Sequence, residues 1–239
     1  MIAQGHAPST RSVNSNGLRR ILRWLWEESG APKLDRSVPK TPGPRPRNVT
    51  TTRDVIDQLT RTLDLPLRLM ILLCSDLAIR SGTALQIAPE HYDATSATLH
   101  FTTKMGEKLT LPVTEEIQEL FGCCNLNDPR PFVTQLAKLN KPGRGQTIRR
   151  ETLDQTAIDK RFQKLRATIT TKHITFHDLR RTAAVRMYEQ TGDLRAVQAL
   201  LGHRSMNSTI WYLDHDLMPV SRITLELIKR PPGPERKLA

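Results

Sequence analysis

Cysteine is scarce in this chain of 239 residues, with three in all, Cys74, Cys123 and Cys124. A low, odd count argues against a disulfide framework and fits a reducing compartment. The adjacent Cys123–Cys124 pair lacks the C-x-x-C spacing of a zinc site and reads as packing. Acids are also in deficit, 24 against 36 Lys plus Arg, which leaves a net charge of +12. That imbalance favours a polyanionic partner, because cations that displace condensed counterions supply sequence-independent nucleic-acid affinity. Charge alone does not separate nucleic acid from a membrane surface. Long hydrophobic runs are missing too: none approaches the roughly 18–20 residues of a membrane span. The polar opening, MIAQGHAPSTRSVNSNG, has no apolar stretch of the secretory type. The expectation is a cytoplasmic, soluble protein, with no membrane partner. No repeat recurs at periods of about 20–50 residues.

Apolar residues make up 38% of the chain, enough for a real core at this length. Residues 1–16 read as disordered. Leu18, Ile21, Leu22, Leu25 and Trp26 then follow helical spacing, with Arg19, Arg20 and Arg23 on the flank. The next stretch carries prolines at 32, 39, 42, 44 and 46, which block helix and sheet and give an extended basic strap. It serves either as a solvated linker or as a strap against phosphates. The Thr50–Thr52 cluster caps a helix through Val55, Leu59 and Leu63. Pro66 opens a strongly apolar helix, LRLMILLCSDLAI, expected to be the centre of the core. ATLHFTT and KLTLPV flank Lys104–Met105–Gly106–Glu107 and predict a β-hairpin. Residues 122–150 are loop-rich. Ile158, Phe162, Leu165 and Ile169 mark a further helix, and a candidate helix spans Ser221–Arg230. The fold class expected is mainly α with a small antiparallel β-sheet, an α+β arrangement.

The most informative stretch runs from Thr175 to Tyr212, TFHDLRRTAAVRMYEQTGDLRAVQALLGHRSMNSTIWY. His177 and Arg180 lie three apart, on one face of a helix near its N-terminus, where the helix dipole favours a phosphate. His203 follows the Gly202 break, and Tyr212 stands nine residues later. These residue types suit one chemistry. A tyrosine hydroxyl, with a pKa near 10, needs help to act as a nucleophile. Charge growing on a phosphodiester is best met by the planar forks of arginines. The leaving 5′-oxygen needs a proton and the attacking phenol must lose one. His173 and His177, four apart, have no third ligand at useful spacing for a metal.

The pattern H-x-x-R, then L-G-H, then Y resembles the catalytic signature of the tyrosine recombinases, the phage integrase family. Upstream, CSDLAIRSGTALQI looks like the family's first arginine box, with Arg80 at its clamp position. The hairpin TTKMGEKLTLPV looks like the family's β2–β3 turn, with Lys104 at the general-acid position and Lys108 as its rival. The resemblance implies a catalytic set of Arg80, Lys104, His177, Arg180, His203 and Tyr212, with Tyr212 the nucleophile. It implies the tyrosine-recombinase catalytic-domain fold and DNA cleavage and rejoining through a 3′-phosphotyrosyl ester, with no cofactor and no divalent metal. Double-stranded DNA is the implied partner, bound by a tetramer on two sites. The organisation expected is a disordered start plus a remnant core-binding helix over 1–30, a Pro-rich basic linker over 31–49, the catalytic domain over 50–217 and a tail over 218–239. The short front of the chain resembles only the end of the family's core-binding domain. Two alternatives stand beside recombination: a DNA-binding remnant without strand exchange, and relaxation of the type IB topoisomerase kind. The cations Arg144, Arg149, Arg150, Lys160, Arg161, Lys164 and Arg166 either line a DNA groove or form a solvated face.

Overall fold

The computed structural model describes residues 8–39, 49–103, 106–139 and 153–213. The chain divides into two units, Met1–Arg47 and Asn48–Ala239. In the first, helix α1 (Pro8–Ser29) begins well before Leu18, which corrects the expectation of disorder over residues 8–16, residues 1–7 lying outside the described residues. Pro8 suits a first helical position, where its missing N–H is not needed. Extending a helix backward from the amphipathic run is also far easier than nucleating one. Beyond α1, Arg19 Nε donates to the Val38 carbonyl at 3.1 Å and Arg23 faces Asp35 at 3.5 Å, so the following segment folds back along the helix.

The second unit is mainly helical. Helix α2 (Arg53–Thr60) starts at the N-cap Thr52 and stops before Leu63, which is 89% exposed rather than part of the helix. Helix α3 (Leu65–Ser75) is capped by the Asp64 side chain, which accepts from Leu67 N, with Pro66 in the first turn. Leu69, Met70, Ile71, Leu73 and Cys74 are fully buried. A helix apolar on every side belongs in the middle of a core, and each fully buried Leu or Ile contributes about 1.5–3 kcal/mol. Burial pushes the Cys74 thiol up to about 12, so it behaves as an inert packing group.

Around α3 pack α5 (Glu115–Gly122), α6 (Phe132–Leu139), α7 (Gln155–Ile169) and α8 (Phe176–Thr191). Helix α6 falls in the stretch expected to be loop. Pro131 stands just before it, and Phe132, Val133 and Leu136 are buried, with Phe132 stacked on Phe121 at 3.9 Å between centroids. Strands β1 (Tyr92–Asp93), β2 (Thr98–Thr102) and β3 (Lys108–Pro112) form an antiparallel sheet in that order, with Leu99 opposite Leu111 and Thr102 opposite Lys108. The chain then reaches α9 (Leu194–Leu201) and α10 (Met206–Tyr212). Among the described residues no helix is long and apolar enough to cross a membrane. The candidate helix Ser221–Arg230 and the tail 218–239 lie outside the described residues.

The apolar helix ends earlier than its sequence suggests. It stops at Ser75, and Ala78 turns the chain with φ at +51°. Ile79 N closes the helix end on the Leu73 carbonyl at 3.0 Å. Arg80 therefore leaves the core helix and caps the short α4 (Ser81–Ala84) in extended backbone. Asp76 anchors this turn by facing Arg53 at 3.6 Å and Arg186 at 3.7 Å.

Ala78 carries left-handed strain of about 1–2 kcal/mol, which Ala78→Gly relieves while deleting a buried methyl worth about 0.8 kcal/mol. Ala184→Gly, at a fully buried position inside α8, loses a similar methyl and adds about 1 kcal/mol of helix propensity. Thermal melts followed by circular dichroism should put Ala78→Gly within about 2 °C of the parent and Ala184→Gly about 5 °C below it. Equal losses at the two positions would contradict the strain assigned to Ala78.

Candidate active site

Helix α8 opens with a capping box. Thr175 Oγ1 accepts from Asp178 N at 3.3 Å, while Asp178 Oδ2 accepts from Thr175 N at 2.8 Å. The box sets His177 in the first turn and Arg180 one turn further on. His177 is exposed on one side, whereas Arg180 is only 3% exposed. The buried guanidinium donates from Nη1 to the Ala78 carbonyl and from Nη2 to the Leu201 carbonyl at 2.8 Å. Burial lowers its pKa to about 10, Tyr212 opposes that shift and Arg80 adds to it. Arg180 stays charged at neutral pH.

Leu201 ends α9, and Gly202 follows with φ at +56°. The position needs glycine twice over. A Cβ there would lie 2.9 Å from Leu109 Cδ1 and 3.0 Å from Thr103 Cγ2, both on the hairpin side. This close approach brings the hairpin against the turn that presents His203. His203 is half-buried, its carbonyl accepts from Gln198 Nε2 at 2.9 Å, and its Nδ1 meets Thr209 Oγ1 at 3.2 Å. Burial first, then Arg180, Arg80 and His177, push its pKa down to about 4. The same kinds of influence lower His177: partial burial leads, Arg180 follows, and Asp178 opposes. Both shifts favour the neutral ring.

Tyr212, at the end of α10, sits edge-on to both histidines, 5.2 Å from the His177 centroid and 5.5 Å from that of His203. The guanidinium carbons of Arg180 and Arg181 lie 5.9 and 5.6 Å from its ring centroid. Its hydroxyl is buried without a hydrogen bond of ordinary geometry. Burial raises its pKa, while Arg180, Arg181 and Arg80 pull the other way.

A cleft of about 620 Å³ opens beside these residues, lined by Arg80, Ser81, Gln86, Thr102, Thr103, His177 and Arg180 among others. The structure therefore brings together Arg80, His177, Arg180, His203 and Tyr212. Lys104 lies outside the described residues. Its neighbours close the hairpin loop, with Thr103 N on the Glu107 carbonyl and Gly106 N on the Thr103 carbonyl, each at 2.8 Å. The rival Lys108 is exposed at the start of β3. Arg181, Thr209 and Thr103 were not singled out from the sequence. Arg181 could have been noticed as the second half of the Arg doublet. Thr209 stands three before Tyr212, on the same helix face, a weak signal.

The basic tract divides. Arg161 faces Asp64 at 3.6 Å, and Arg166 donates to the Thr170 and Lys172 carbonyls at 3.2 Å each, securing the end of α7. Lys160 and Lys164 are exposed one turn apart, and Arg144, Arg149 and Arg150 lie outside the described residues. Among the described residues no three His, Cys, Asp or Glu side chains gather as metal ligands. What remains is a cationic cleft lined by two arginines and the His177 imidazole, with His203 and the Tyr212 phenol packed beside them. Such a site is suited to an anion at which charge develops.

Comparison with known proteins agrees with this geometry. A family model described as the phage integrase family matches residues 49–217. Tyrosine recombinase XerC of Escherichia coli O157:H7 (strain EC4115 / EHEC) is 23% identical over 243 aligned positions, covering 92% of this chain and 74% of the relative. A lambda integrase dimer bound to a COC′ core site superposes with a TM-score of 0.66 at 19% identity, over 87% of this chain and 74% of that one. A lambda integrase tetramer bound to a Holliday junction gives a TM-score of 0.60 at 20% identity, over 83% and 59%.

The depressed pKa of His203 predicts a pH dependence of stability. Its folded pKa lies below the unfolded value of about 6.5, so the unfolded chain takes up the proton first as pH falls. Stability is thus lost between about pH 6.5 and 4 and the loss levels off below. His203→Gln should remove this part of the acid sensitivity, measured as the difference in melting temperature between pH 7 and 4.5. An unchanged difference would contradict the environment described for the ring.

Proposed function

The chain belongs to the phage integrase family and is a tyrosine-type site-specific recombinase, and from that premise we propose that Tyr212 is its nucleophile on double-stranded DNA. The observation that carries this reading is the packing of Tyr212 against His177, His203 and Arg180, beside a cationic cleft that Arg80, His177 and Arg180 line, within a single chain. Arg80 and Arg180 hold the nonbridging oxygens of the scissile phosphate, and the N–H donors that Arg180 does not use on Ala78 and Leu201 serve that purpose. Neutral His203 donates a further hydrogen bond. Tyr212 Oη attacks phosphorus in line, its proton passes to His177, and the bond from phosphorus to the 5′-oxygen breaks as that oxygen takes a proton from Lys104. The lowered pKa of His177 favours the unprotonated ring, which is free to accept, and the pull of Arg180, Arg181 and Arg80 on Tyr212 partly offsets the burial that makes its phenol harder to deprotonate.

The product is a 3′-phosphotyrosyl ester and a free 5′-hydroxyl. Because the ester conserves the bond, the 5′-hydroxyl of a second duplex can reverse the step on a new strand without ATP, and the protein's own cations do the charge stabilisation without a divalent metal. Similarity to a tetramer on a Holliday junction supports action as a tetramer across two DNA sites, in the cytoplasm where the DNA is.

The test is a suicide duplex, nicked beside the cleavage point and drawn from DNA flanking the gene, incubated in EDTA and run on denaturing gels. Wild type should yield a covalent protein–DNA adduct and Tyr212→Phe none, with at least a 1,000-fold loss expected for removing the nucleophile, on the order of the losses seen in other nucleophile deletions. An adduct that survives Tyr212→Phe, or one that appears only with added metal, would overturn the mechanism.

A further inference from the structure

His203 is pinned twice, through its backbone carbonyl by Gln198 and through Nδ1 by Thr209, and only the second bond bears on what the ring can do. A neutral imidazole has one N–H, on Nδ1 or on Nε2, and the partner of one nitrogen decides the state of the other. If Nδ1 kept the hydrogen, it would donate to Thr209 Oγ1, and Nε2 would present a lone pair, which an anionic phosphate repels. If the Thr209 hydroxyl donates to Nδ1, the hydrogen sits on Nε2 as a donor. We propose that Thr209 is a positioning residue that donates its hydroxyl hydrogen to His203 Nδ1 and so fixes the ring in the Nε2–H form that hydrogen-bonds a phosphate oxygen. The inference rests on the reading of His203 as a phosphate donor.

The placement of Thr209 favours this role. Its side chain is fully buried, so no water competes for the hydroxyl. It stands on α10, one turn before Tyr212, and its carbonyl accepts from Leu213 N at 3.0 Å. One hydroxyl therefore couples the ring to the helix that carries the nucleophile. The charged and titratable groups bearing on His203 are Arg180, Arg80 and His177. Burial first, and then their repulsion, favours the neutral ring, which is the condition under which its tautomer matters.

The experiment has a structural arm and a catalytic arm. Nitrogen-15 NMR of histidine-labelled full-length protein, without DNA, reads the tautomer of His203 directly. The Nε2–H form is expected in wild type and in Thr209→Ser, and a mixture of tautomers in Thr209→Val, which matches the shape but has no hydroxyl. In the catalytic arm, adduct formation on the suicide duplex should fall about tenfold in Thr209→Val, on the scale of one lost orienting hydrogen bond, and stay within about twofold in Thr209→Ser. In a His203→Ala background, Thr209→Val should cost no more than about a further twofold, because its effect passes through the ring. An Nδ1–H ring in wild type would overturn the proposal whether or not any variant folds. So would Thr209→Val and His203→Ala effects that multiply. Absence of adduct from wild type itself would defeat the recombinase mechanism, while the NMR result would still decide the tautomer.

Discussion

One buried cation organises the molecule. Arg180 is all but inaccessible, and its fork ends on two backbone carbonyls far apart in sequence, those of Ala78 and Leu201. Taking a charged group out of water costs several kcal/mol unless hydrogen bonds replace the lost solvation. The Ala78 carbonyl is supplied by a left-handed turn and the Leu201 carbonyl by the end of α9, where helix carbonyls are otherwise unsatisfied. The two bonds that stabilise the cation therefore fix the turn leading to Arg80 and the turn leading to His203.

The electrostatic design follows from that anchor. Arg180 lies near Arg80, and each lowers the proton affinity of the histidines beside it. The acids in the neighbourhood are engaged elsewhere: Asp178 in the cap of α8, Asp76 with Arg53 and Arg186, and Asp64 at the head of α3. The cleft thus collects positive charge that Asp178, which opposes the shift at His177, offsets only in part. A phenol of raised pKa needs a neighbouring base or positive charge before it can act as a nucleophile, and the cations beside Tyr212 pull its pKa back down.

Much of this was legible in the sequence because it is local. The i, i+3 pair His177–Arg180 and the Gly202 stop depend on neighbours a few residues away. The hairpin could be read from two β-prone runs around a Gly-bearing turn. The misreadings share a different cause. LRLMILLCSDLAI looks like one helix because apolar residues resume at Leu77, Ala78 and Ile79 after only two polar ones, Ser75 and Asp76. The break at Ala78 is stabilised by Arg180, a hundred residues on, and no local residue announces it. Leu63 fits a helical period but meets no partner, and α6 forms because Phe132 stacks on Phe121. Within the site, Thr209 and Arg181 gain importance only from what the fold sets beside them.

We propose that Tyr212 attacks a phosphate held by Arg180 of the same chain, because one chain brings Arg80, His177, Arg180, His203 and Tyr212 together. The direct test mixes two inactive variants, Tyr212→Phe and Arg180→Gln, on a suicide duplex where fluorescent labels show both bound to the same DNA. If each chain builds its own site, the mixture forms no covalent adduct, since no subunit holds both residues. An adduct from the mixture would mean that the tyrosine of one subunit serves the arginine of another, and would contradict the site as described.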